Sequence, residues 1–186
     1  MSTQFKPTGN NEADELLLQN HAALLLGMLL DQQIPIERAF LAPYLLKQRL
    51  GHFDLKKIAQ MPQEKLVSIF CQKPALHRYP ADMAKRFHQI AKFITENYEA
   101  SVDLFLKTSD AEELFSRLKL LPGFSEHKSK IFIALLGKRF AIRPKGWKEV
   151  SDPFSKKGAY LSAADVTDEE ALKKVRLNKK LLKLSQ

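Results

Sequence analysis

The chain has 186 residues, 45% of them apolar, which is one domain or two small halves of one with material for an ordinary core. Its single cysteine, Cys71, excludes a disulfide framework and any all-cysteine metal site, a four-cysteine iron–sulfur cluster included. The net charge of +9 is unevenly held: residues 1–118 carry 14 basic and 14 acidic side chains, and residues 119–186 carry 16 and 7. Such asymmetry points to a polyanion partner, or more plainly to a solvated lysine-rich surface with a basic tail.

Residues 1–11 read as a flexible polar leader. One strongly apolar helix is expected from about Glu12 to Leu30, apolar around most of its circumference and therefore central to a core. Pro35 opens a second helix, broken or bent at Pro43 and stopped at Gly51. DLKKIAQ is a short helix, and Pro62 opens the helix PQEKLVSIF. KPALHRYP is a loop. A longer helix runs from Ala81 to about Tyr98 with Met83, Phe87, Ile90 and Ile94 on one face, and two short helices follow near 101–107 and 110–118. Residues 141–164 are rich in turn residues. Thr167 with Glu170 has the form of a capping box opening a last helix to about Leu184, docked by Leu172, Val175 and Leu182. Nothing reads as a sheet, so the fold class is all-α. There is no long apolar run and MSTQFKPTGN lacks a signal's apolar region, so a cytoplasmic protein with no membrane partner is expected.

The segment LKLLPGFSEHKSKIFIALLGK, residues 118–138, carries most of the functional information. Pro122 and Gly123 make a tight turn between two helical patterns, which aims unpaired backbone N–H groups at one spot at the start of the second helix. That spot suits a phosphate. Lys128, Lys130, Lys138 and Arg139 lie within the fifteen residues after Phe124, and Arg143 and Lys145 follow. The segment reads as a grip on a nucleic-acid backbone; a plain αα turn is the alternative.

LPGFSEHKSK resembles the helix–hairpin–helix element of the base-excision DNA glycosylase superfamily. LLLGMLLDQQIPIERAFLAPYLLKQRL resembles its early helix and DNA-facing glutamine turn, and PADMAKRFHQIAKFITENY the helix before the hairpin region. Together these cover about residues 18–140, and SAADVTDEEALKKVRLNKK resembles the C-terminal segment of a compact bacterial HhH-GPD-type subgroup that lacks the iron–sulfur loop. The resemblance implies a two-lobed, all-α HhH-GPD fold over residues 12–165, with a basic C-terminal helix at 166–186 docking on or extending from it, and duplex DNA bound across a cleft by a monomer. It implies no cofactor and no iron–sulfur cluster.

Carried onto this chain, the resemblance makes Leu121, Pro122, Gly123, Phe124 and Ser125 a phosphate-binding turn with a possible monovalent cation on its backbone. Ser125 stands where the family has a second glycine. The catalytic lysine of lyase-active members falls at His127, with Lys128 one residue later and about 100° away around the helix, so lyase activity is disfavoured. Lys138 and Arg139 are expected at phosphates. A glycosylase needs a carboxylate near the sugar to stabilise the positive charge that grows as the base departs. The family's usual spacing for it lands on Lys145; the nearby carboxylates are Asp152 and Glu149. Gln32 and Gln33, Gln32 first, are candidates for filling the gap left by an extruded nucleotide, and His77, Tyr79 and Trp147 for lining a base pocket. Three functions follow: a monofunctional glycosylase acting on a damaged or mismatched base, a DNA-binding protein that kept the fold and lost the chemistry, or an interaction protein whose basic tail meets another partner.

Overall fold

The computed structural model describes residues 4–185. Among them every regular element is helical, and the one β-type pairing is an isolated bridge between Asp110 and Lys145. The chain divides into two compact units. An N-terminal unit holds residues 10–107 together with 121–123, and a C-terminal unit holds residues up to Gly9, 108–120 and 124 onward.

In the N-terminal unit the expected single apolar helix is two, α1 (Asn11–Gln19) and α2 (His21–Leu30). Asn20 makes the break. Its backbone is extended, and its side-chain oxygen accepts the N–H groups of Ala22 and Ala23 at 2.9 and 3.1 Å. An asparagine that satisfies two orphan donors of a new helix stabilises a boundary that apolar periodicity does not reveal. Every residue of α2 from Ala22 to Leu30 is buried. Around it pack α1, α3 (Ile36–Leu50), α6 (Pro80–Asn97) and the short α7 (Val102–Leu106), while α4 (Leu55–Gln60) and α5 (Gln63–Cys71) cover α6. Pro43 does not break α3, which continues through it to Gly51.

The C-terminal unit is built on the helix pair α8 (Ala111–Lys119) and α9 (Glu126–Arg139), with α10 (Trp147–Val150) against both, a 3₁₀ turn (Ala163–Asp165) against α9, and α11 (Glu169–Leu184) against that turn. Residues 4–9, expected in a flexible leader, belong to this unit: Phe5 is fully buried with its ring 5.9 Å from Phe140, and the Lys6 N–H donates to the Thr167 carbonyl at 3.1 Å. A single aromatic in a polar stretch is enough to seat it. The cap of α11 is Asp168, one residue beyond the expected Thr167, accepting the Ala171 N–H at 2.9 Å. Leu172 and Val175 dock that helix as expected. Leu182 does not; it is 48% exposed, beyond the reach of the 3₁₀ turn that the helix packs on. This unit carries 18 basic and 10 acidic side chains, against 12 and 11 in the other. No helix among the described residues is long and apolar enough to cross a membrane.

Candidate nucleic-acid interface

The turn after α8 is fixed from both sides. Gly123 has φ +86°, and a Cβ there would lie 2.6 Å from Leu29 Cδ1 and 3.2 Å from Arg86 Cδ, so both conformation and space demand glycine. Leu121 and Phe124 are 2% and 4% exposed, Phe124 packing edge-on against Phe132. Their side chains are core, and only their backbones are left to meet a ligand. Ser125 caps α9 as its chemistry predicts, accepting the Lys128 N–H at 3.2 Å. The N–H groups of Phe124, Ser125, Glu126 and His127 have no acceptor among the described residues. Four orphan donors at the positive end of a 14-residue helix form an anion site. Lys128 differs from expectation. It is 6% exposed, with its ammonium 5.9 Å from the Phe124 ring centre, so it is not a surface phosphate contact.

Within the N-terminal unit, the glutamine turn and the 77–79 loop come together. His77 is 1% exposed and uses both ring nitrogens: the Tyr79 N–H donates to Nδ1 at 3.0 Å, which leaves the proton on Nε2 to donate to the Gln32 carbonyl at 3.0 Å. His77 is therefore the clasp between two loops rather than an open pocket wall. Gln32 lies inward, with Nε2 3.7 Å from Met83 Sδ. Gln33 is exposed and sits at φ +56°, a conformation uncommon for a residue with a Cβ. Tyr79 is 43% exposed with the Arg78 guanidinium 5.5 Å above its ring.

Within the C-terminal unit, the first turn of α9 meets the loop after α10. The His127 ring stands edge-on to Phe154 at 5.1 Å. Asp152 and Pro153, joined by a cis peptide bond, therefore lie in the turn packed on the first turn of α9. Asp152 is solvent-exposed and paired with Lys156 at 3.2 Å. Glu149 is exposed on α10. Lys145, where the usual spacing would put the carboxylate, is instead held by its backbone against α8, its N–H on the Ser109 carbonyl and its carbonyl on the Ala111 N–H.

Residues 26–184 match the family model of HhH-GPD superfamily base excision DNA repair protein. The chain belongs to this superfamily. No curated protein and no solved structure matches it. The all-α architecture and the hairpin are those of the HhH-GPD family, and a glycosylase-like DNA-binding fold follows from membership.

Three HhH-GPD cations expected at phosphates are engaged with the protein. Lys138 donates to Asp165 at 2.6 Å and to the Lys156 carbonyl at 2.8 Å. Arg139 Nε donates to the Ala164 carbonyl at 3.0 Å, and burial lowers its pKa from the ordinary arginine value, opposed chiefly by Asp165. Arg143 Nε donates to the Gly137 carbonyl at 2.8 Å, leaving its outer nitrogens unused. Trp147 is seated on Gly137, in the C-terminal unit, while His77 and Tyr79 belong to the other. Arg86, which sequence reasoning missed, is half-buried beside Gly123 with no hydrogen bond among the described residues. No local sequence signal marks it, because its place beside Gly123 comes from tertiary packing of α6 on the turn. The carbonyls of Leu121 and Gly123 accept no hydrogen bond among the described residues. Neutral hard oxygens of this kind fit the monovalent cation the family implies, which would add positive charge under a bound phosphate.

Proposed function

We propose that this chain is a monofunctional DNA glycosylase, which grips duplex DNA through the hairpin at 121–128 and hydrolyses the N-glycosidic bond of a damaged or mismatched base. It works as a monomer in the cytoplasm, on the nucleoid, without an iron–sulfur cluster. The observation that supports it best is the contact between His127 and Phe154, which packs the Asp152 turn on the first turn of the hairpin helix. A carboxylate there stands beside the sugar of a nucleotide whose phosphate the α9 amides hold. It stabilises the cationic sugar as the base leaves and orients the attacking water. His127 in place of a lysine supports hydrolysis over lyase chemistry, because imidazole forms no stable Schiff base with the sugar aldehyde. Gln33, exposed on its strained turn, is the better candidate of the glutamine pair for filling the gap left by the extruded nucleotide.

The pairing of Asp152 with Lys156 favours a second reading, a DNA-binding protein without chemistry. Duplexes carrying one defined lesion each, treated with alkali after incubation, separate the two. Strand breakage by wild type that disappears in Asp152→Asn, with binding retained, is the expected result. Turnover retained in that variant removes Asp152 from the mechanism. No release from any lesion, alongside salt-sensitive duplex binding, establishes the second reading.

A further inference from the structure

The C-terminal end of α9 borders a cavity of about 610 Å³, lined by Lys138, Arg139, Arg143, Trp147, Lys148 and Lys157 among others. Asp165 is the carboxylate in its wall, and it is already satisfied: it is 4% exposed, paired with Lys138 and accepting the Leu161 N–H at 2.8 Å. The wall therefore presents strong uncompensated positive charge. Arg143 is braced by one bond from Nε to the Gly137 carbonyl, and its two outer nitrogens make no hydrogen bond among the described residues. Lys157 forms no ion pair or hydrogen bond through its ammonium among the described residues, and the Lys148 ammonium is 5.9 Å from the Trp147 ring centre.

The indole is built in. A Cβ on Gly137 would overlap three atoms of its benzo ring, although Gly137 itself has an ordinary helical backbone. Glycine inside a helix costs about 1 kcal/mol relative to alanine. Its presence here has one structural use, to let Trp147 lie flat on the helix backbone. An aromatic surface beside one braced guanidinium and two uncommitted ammonium groups matches one ligand chemistry, a planar base joined to a phosphate.

We propose that this cavity is a nucleotide-binding site, with the phosphate on Arg143, Lys148 and Lys157 and the base against Trp147. The site itself stands on its own geometry; that a DNA strand supplies the nucleotide rests on the function proposed above. The amides at Phe124–His127 and this cavity lie at opposite ends of α9, a helix about 20 Å long, which is about six nucleotide steps along one strand. A free nucleotide is the other source of the same chemistry.

Trp147 is the sole tryptophan, so its fluorescence reports on this site alone. The full chain is titrated with dAMP, with inorganic phosphate, and with a 20-base-pair duplex whose binding is followed independently by anisotropy. Quenching by dAMP or by the duplex, absent with phosphate and weakened about tenfold by Arg143→Gln with Lys157→Gln, is the expected result. Tenfold is the scale of one charged hydrogen bond. Circular dichroism checks that the variant keeps its helices. The arm that quenches identifies the source. Duplex binding by anisotropy, with no change in Trp147 fluorescence on adding either the duplex or dAMP, overturns the site and leaves the DNA-binding reading intact. Quenching by dAMP without any duplex binding sustains the site and removes the DNA-binding reading. Equal quenching by phosphate and dAMP overturns the base contact.

Discussion

The ammonium of Lys138 and the carboxylate of Asp165 are 2.6 Å apart, with 10% and 3% of the two side chains exposed. Two charges so buried are stabilised only because each has further partners: the Lys156 carbonyl for one, the Leu161 N–H for the other. Removing one partner leaves the other charge stranded. Asp165→Asn is expected to lower unfolding stability by about 3–5 kcal/mol, whereas replacing both residues by apolar side chains of similar volume recovers most of the loss. Urea unfolding of the single and double variants tests this; equal stability of Asp165→Asn and wild type would show that the pair contributes little. Lys138 illustrates why the candidate site was only partly legible. A lysine one residue from the end of a basic helix looks like a phosphate contact, and its acidic partner is 27 residues further along the chain. Lys128 also looks like a surface cation in the sequence and is buried in the fold.

Helices were legible where local chemistry closes them. Gly51 ends α3 and Ser125 opens α9, each by interactions within a few residues. Asn20 and Asp168 were missed because a cap in the middle of a favourable pattern competes with that pattern, and only backbone geometry shows which side wins. The Asp168 carboxyl is held below its ordinary pKa, first by the Ala171 N–H and then by the Thr167 hydroxyl. Since the folded value is depressed, this cap stabilises the protein above the unfolded aspartate pKa and ceases to do so as pH falls through the folded value. Asp168→Ala is expected to cost about 1 kcal/mol at pH 7 and little at strongly acid pH. Asp168→Asn is expected to keep the cap and abolish this part of the pH dependence. Thermal unfolding of the three proteins across pH decides it; an alanine penalty unchanged in acid would show that the charge plays no part. At the hairpin, Ser125→Gly is expected to cost only a few tenths of a kcal/mol, since glycine is itself a tolerable cap. It also removes a side chain from the face that the four orphan amides of α9 offer to an anion. Tighter duplex binding is the expected outcome by anisotropy, and weaker binding would mean that the serine hydroxyl itself touches DNA.

The distribution of charge gives the molecule its largest-scale property. Of a net +9, the C-terminal unit holds +8. The hairpin helix, the cationic cavity and α11 all belong to that unit, so its field favours a polyanion before any specific contact forms. Lys180 and Lys183 are exposed on α11 and Lys179 is half-exposed, beyond Val175 and beyond Asn178, whose amide donates to the Ala159 and Tyr160 carbonyls. Substitutions at such surface positions ordinarily change stability by no more than about 0.5 kcal/mol, so these three can be altered without disturbing the fold. If they meet phosphates, replacing all three by glutamine releases fewer counterions on binding. The slope of log affinity against log salt should then become shallower by about 0.9 for each phosphate that is no longer neutralised, and affinity should fall equally for lesion-bearing and undamaged duplexes. A loss confined to one sequence would assign these lysines to base recognition. An unchanged slope would leave them to solubility and place the electrostatic grip on α9 and the residues around Trp147.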